Sequence, residues 1–197
     1  MNDTDMRRRS VRTKTLSVLP RDDGGFDFET RLTDRSFLGD YEQDGDDLIV
    51  HDFVLSGALD DQLVLRSIDV EAREHPFNQC PLMSGAVSEL IGESVLAGWR
   101  RTVLERFSAT RGCTHTTTLL LGLSEVITLV YFQRMNRLAA YGPKSRESGE
   151  WIAGSLRSGQ PLAGACHVLD ADGMVIGEAE RFLRDHSDRS HGGADHD

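Results

Sequence analysis

The stretch RGCTHTTTLL, residues 111–120, sets a thiol and an imidazole two positions apart, where a glycine gives way to a helix-forming run. Thr114 is a good cap residue, so Cys113 and His115 are expected at a helix start. Cys80 stands beside Pro81, and proline is tolerated at a first helical position because the N–H it lacks would have no partner there. Cys80 is therefore expected at a second helix start. Free N–H donors and partial positive charge at such a position favour a thiolate, the form that binds metals and attacks electrophiles. Cys80, Cys113 and His115, completed by His167 or Cys166 from the ACHV segment, make a tetrahedral thiolate/imidazole set suited to zinc or iron. An open fourth position would make the metal catalytic, and a closed set would make it structural. The competing expectation is packing, since free cysteine behaves as a small buried hydrophobe.

Cys166 and His167 fall on an expected strand, where adjacent residues point to opposite faces. Only one of them can then reach the site, and His167 is the favoured polar contributor. His51 and Asp52 in IVHDFV meet the same restriction. A polar group in an apolar strand needs a partner, which makes this pair candidates to support the ligands from behind. Arg100 and Arg101, on the polar face of an amphipathic helix, either meet an anionic substrate or are solvated. The sequence contains no phosphate loop, dinucleotide fingerprint, H-E-x-x-H, nucleophile elbow or C-x-x-C pair.

Those residues are carried by a chain of 197, 39% hydrophobic and 27% charged, which fits one domain with ragged ends. Twenty-two basic residues face 32 acidic ones, for a net charge of −10. That balance argues against nucleic acid and anionic membranes as partners, and a small-molecule substrate stays open. The run LLLGLSEVITLVYF is short and interrupted by Glu125, so no membrane span is expected. The N-terminus shows no apolar leader, and three cysteines is an odd number. A cytoplasmic setting is expected, with thiols buried, catalytic or metal-bound rather than paired. Oligomeric state stays open.

The elements that must position the site read as strands, then helices, then strands. TKTLSVLP and GGFDFETRL flank the turn RDDGG, and DDLIVHDFVLSG and QLVLRSIDVEARE flank GALDD: two hairpins. Helices are expected from Pro81 to Gly92, around Leu96–Phe107 with Trp99 and Val103 inward, and from about Thr114 to Ala140. GACHVLDADGMVIGEAERF reads as a late hairpin turning at DADG. The fold class is α+β, an antiparallel sheet with three helices on one face. A flexible arm is expected over 1–10, a single domain over 11–183 and a disordered polar tail over 184–197. The loop from about Arg35 to Asp47 is expected to cover the site.

RDDGGFDFETRLTD, HDFVL, FNQCP, LIGESVLAGWRRTVLERF, GCTH and CHVLDADG follow in an order that resembles the bacterial domain-of-unknown-function 2889 family, over most of residues 10–178. The resemblance implies an apolar residue after GCTH, where this chain has Thr116, and supports the architecture without implying an activity. QCPLMSGAVSELIGES and GCTHTTTLL are also similar in order to iron–sulfur scaffolds of the NifU/IscU type. That likeness implies Cys80 as an early ligand and Cys113 with His115 as a late pair. In the loop where such scaffolds place another cysteine, this chain has Asp60 and Asp61. The expected function is a metal-binding protein, a metalloenzyme acting on a small molecule in bacterial catabolism through a Cys/Cys/His site. The alternatives are an iron–sulfur scaffold or sulfur carrier, and an interaction module with buried thiols.

Overall fold

Alternation along FDFETRL decides the first half of the molecule: Phe26, Phe28, Thr30 and Leu32 are buried while Asp27 and Glu29 are exposed. A period of two with one apolar face is a strand that needs something packed on that face. In the computed structural model, which describes residues 10–36, 48–83, 85–157 and 162–187, this strand is the second of four. They are β1 (Ser10–Pro20), β2 (Phe26–Ser36), β3 (Leu48–Leu59) and β4 (Leu65–Glu74), in sheet order β1-β2-β3-β4 and antiparallel throughout. Residues 1–9, 37–47 and 188–197 lie outside the described residues, and with them most of the expected arm, covering loop and tail.

Register is fixed by packing. Phe28 lies opposite Gly57, and a Cβ at Gly57 would sit 2.8 Å from the Phe28 ring. The glycine leaves room for the ring to lie across β3. Phe53, Leu55 and Leu59 continue the buried face on β3, and Val70 continues it on β4.

Two helices close over that face. The first, α1 (Trp99–Phe107), buries Trp99, Val103 and Phe107 at four-residue spacing. The second, α2 (Thr114–Gly122), buries Leu119 and Leu120. The Trp99 indole donates to the Leu120 carbonyl at 2.6 Å, tying the helices together with a satisfied buried N–H. A short 3-10 turn joins α2 to α3 (Val126–Leu138). By length and composition, Thr114–Leu138 is apolar enough to cross a membrane, but Leu119, Leu120, Leu123, Val126 and Val130 are fully buried in the sheet-covering core. That burial accounts for these five apolar positions.

Two expectations need correction. Residues 81–92 form 3-10 turns, Cys80–Met83 and Gly85–Leu90, instead of an α-helix. Glycine and serine dilute the helical spacing there, and the Ser88 hydroxyl donates to the Gly85 carbonyl, a local bond that competes with helix. The late hairpin is absent as well. A 3-10 turn at His167–Leu169 leads to α6 (Met174–Ser187), which follows α4 (Pro143–Glu147) and α5 (Glu150–Arg157). Val175, Ile176, Ala179, Phe182 and Leu183 recur at helical spacing, and DADG is the turn before the helix, with Asp170 accepting from the Asp172 N–H. The α+β class holds, with six α-helices among the described residues where three were expected.

The chain divides into two compact units, Met1–Val130 and Tyr131–Asp197. The first holds the sheet, α1 and α2. The second has its own core of Met135, Ile152, Ala153, Leu162, Ile176 and Ala179.

Thr116 is 1% exposed, and its hydroxyl has no hydrogen-bond partner among the described residues. An orphaned buried hydroxyl is destabilising, and valine has nearly the same shape. Thr116→Val is expected to raise stability by about 1 kcal/mol, read as a higher midpoint in urea denaturation with unchanged slope.

Candidate metal centre

The face of the sheet that carries the core ends in charge. Arg12 pairs with Asp34 across β1 and β2, and Asp34 pairs with His51 across β2 and β3. Asp34 is in phase with Phe26, Phe28 and Leu32, and His51 with Phe53 and Leu55, so this row continues the buried rows toward the sheet's end. The register shifts just there: Asp34 opposes His51 but Arg35 opposes Ile49, leaving Val50 as an extra residue. A second shift falls between Asp52 and Phe53 on the β4 side. Bulges bend a strand and re-aim its side chains, and they recur beside functional sites.

The start of α2 lies against this row. Gly112 makes that possible, because a Cβ there would lie 2.1 Å from the Phe107 carbonyl oxygen. The Thr117 hydroxyl donates to the same carbonyl at 2.9 Å, locking the end of α1 to the start of α2. Cys113 is then the N-cap and His115 the second helical residue. The His115 ring stacks on His51 with centroids 3.8 Å apart and on Phe53 at 5.2 Å.

One carboxylate oxygen is the meeting point. His51 Nδ1 is 3.1 Å and His115 Nε2 3.4 Å from Asp34 Oδ2. Ligand atoms of Asp34, His51 and His115 all lie within 4.8 Å of one another. Arg12 grips the carboxylate from the other side, Nε to Oδ1 at 2.6 Å and a terminal nitrogen to Oδ2 at 2.8 Å. That bidentate hydrogen bond holds the Asp34 carboxyl below the usual carboxylate range, more than burial raises it. His115 is pushed the other way: burial, then the neighbouring His51, hold it below its ordinary 6.5. The site is thus an ionised carboxylate beside an imidazole held neutral, the protonation that metal ligation requires. One carboxylate and two imidazoles on one side suit zinc or iron(II) and leave further coordination positions to other ligands.

The residues anticipated from sequence fall in several places. Cys80, Cys113, His115 and His51 line one cavity of about 430 Å³, together with Phe77 and Gln79. Cys113 Sγ is 3.7 Å from His115 Nδ1, the ring nitrogen not directed at Asp34. It therefore stands behind the imidazole, where a partner fixes tautomer and ring orientation. Asp52 points to the opposite sheet face, 4% exposed, in a bidentate pair with Arg31 at 2.7 and 2.6 Å. Cys166 and His167 are exposed and belong to the second unit. Asp34 and Arg12 were not anticipated. The signal for Asp34 was present, because FDFETRLTD places an acid in phase with three buried apolar side chains.

The match to a family model, described as "Protein of unknown function (DUF2889)", covers residues 8–129, and the chain belongs to that family. The matched span contains Arg12, Asp34, His51, Cys80, Cys113 and His115. No curated protein and no solved structure matches the chain.

The two shifted groups set distinct pH windows for the metal-free protein. His115, depressed in the folded state, contributes stability that is complete above pH 6.5 and is lost as pH falls below it. Asp34 contributes above 3.8 and loses its contribution below that value. The urea midpoint is expected to drop between about pH 7.5 and 5.5, and His115→Asn should flatten that step. A wild-type midpoint constant across this range would contradict the assignment.

Proposed function

We propose that this protein binds one zinc or iron(II) ion through Asp34, His51 and His115, and acts on a small polar molecule that reaches it through the cavity lined by Phe77 and Cys80. The observation that carries the reading is the convergence of three ligand atoms within 4.8 Å on two strands and a helix start. Three residues separated by up to 81 positions of chain meet where a carboxylate is already ionised and oriented. A metal there would supply Lewis acidity toward the substrate. Arg12 orients the carboxylate and Cys113 backs one imidazole, as outer partners of metal ligands do. Phe53 limits one side of the His115 ring to apolar contact.

The iron–sulfur reading draws support only from motif order. Asp60, in the loop where scaffolds carry a cysteine, is occupied by Arg66 and by the Gln62 and Val64 N–H groups. A specific geometry does favour one other reading. Cys113 Sγ lies 3.7 Å from His115 Nδ1, and His115 Nε2 lies 3.4 Å from Asp34 Oδ2, the order of nucleophile, base and orienting carboxylate.

Calorimetric titration of the metal-free full chain with zinc or ferrous ion separates these readings. One equivalent is expected to bind, with affinity falling by more than about a hundredfold in Asp34→Asn and in His51→Ala. Cys113→Ser, which removes only a backing group, should cost about ten- to a hundredfold. If no metal binds and Cys113 alkylates rapidly only while His115 is present, the thiol reading replaces the metal one. Acid-labile sulfide in anaerobically purified protein would point to the cluster.

A further inference from the structure

A second cavity, of about 840 Å³, opens at the start of α1 and shares no lining residue with the histidine cavity. Its size is within the range of small-molecule sites. Its walls are largely apolar, with Leu96, Trp99, Leu104 and Ile127. Its charged lining is mostly basic: Arg100, Arg101 and Arg111 stand against the single carboxylate of Glu105. In a chain of net charge −10 that local excess is out of keeping with the whole.

The cations are also placed unusually. Gly98 is the N-cap of α1 and has no side chain to accept from the first-turn N–H groups, so no side chain caps this helix. The Arg101 guanidinium lies beside that cap, 3.5 Å from where a Cβ on Gly98 would be. A guanidinium against the positive end of a helix repels it, and a carboxylate partner would relieve the repulsion. None is present: among the described residues Arg100 and Arg101 make no ion pair. Glu105, one turn along from Arg101, lines the same cleft but does not neutralise it.

We infer that this cleft binds an amphipathic oxyanion, its acidic head between the α1 N-terminus and the Arg100/Arg101 pair and its hydrocarbon body against Leu96, Leu104 and Ile127. Head and body are recognised by different physics. The head gains charge-assisted hydrogen bonds from guanidinium and helix N–H groups. The body gains from removing apolar surface from water, and Leu96, Leu104 and Ile127 in the same cleft supply the matching wall. A carboxylate and a phosphate monoester would both satisfy the head, so the class is defined by an oxyanion on an aliphatic chain. This inference is independent of metal binding.

Calorimetric titration of the full chain with octanoate, octyl phosphate, acetate and octanol tests it. Octanoate or octyl phosphate should bind saturably with a dissociation constant below about 1 mM, and the tighter of the two identifies the head group. Acetate and octanol should bind at least about tenfold more weakly than that probe. The double variant Arg100→Gln/Arg101→Gln changes only exposed side chains and should weaken the better probe by at least about tenfold. The inference is overturned if neither probe saturates, if octanol binds as well as the acids, or if the double variant binds them like the parent.

Discussion

The alignment of Arg12, Asp34 and His51 across three strands is the constraint from which the site follows. All three occupy the face that elsewhere buries Phe28, Leu32 and Phe53. A one-residue slip between β2 and β3 would turn Asp34 toward the opposite face of the sheet and separate it from His51. Phe28 lying over Gly57, several rows away, resists that slip, so an apolar contact at one end of the sheet secures a polar one at the other. The helices add the second imidazole, His115, only because Gly112 lets the chain pass close to the Phe107 carbonyl. Core packing and site geometry are thus two consequences of one register.

The polar row sits where it can be tolerated. Asp34, His51 and His115 keep 15–18% of their side-chain surface exposed, at the margin of the core. Deeper burial of an ionised carboxylate would demand more compensation than one guanidinium supplies. Here Arg12 is itself nearly half exposed, so the pair is partly solvated and its worth lies in orientation more than in stability. The bulge at Val50 serves the same end by bending β3 where the row meets the helix start.

Much of this was legible from the chain. The two hairpins followed from alternation and glycine turns, and GCTH marked the start of α2. His51 was readable as a polar residue needing a partner, but strand alternation alone could not say whether His51 or its neighbour Asp52 faced the helices. The phase of Asp34 with Phe26, Phe28 and Leu32 was readable, but its partner was not, because only the register between strands sets it beside His51. The late segment misled for a different reason. DADG between apolar runs is a good hairpin turn, yet the apolar residues after it recur at 3.6-residue spacing, and that period governed the fold. Cys166 and His167 therefore lie on an exposed turn in the second unit.

The most direct measurement is X-ray absorption at the metal edge of the zinc- or iron-loaded full chain. The account predicts a first shell of nitrogen and oxygen at about 2.0–2.2 Å, with imidazole scattering that diminishes in both His51→Ala and His115→Ala. A first shell dominated by sulfur at about 2.3 Å, or one unchanged when either histidine is removed, would contradict it.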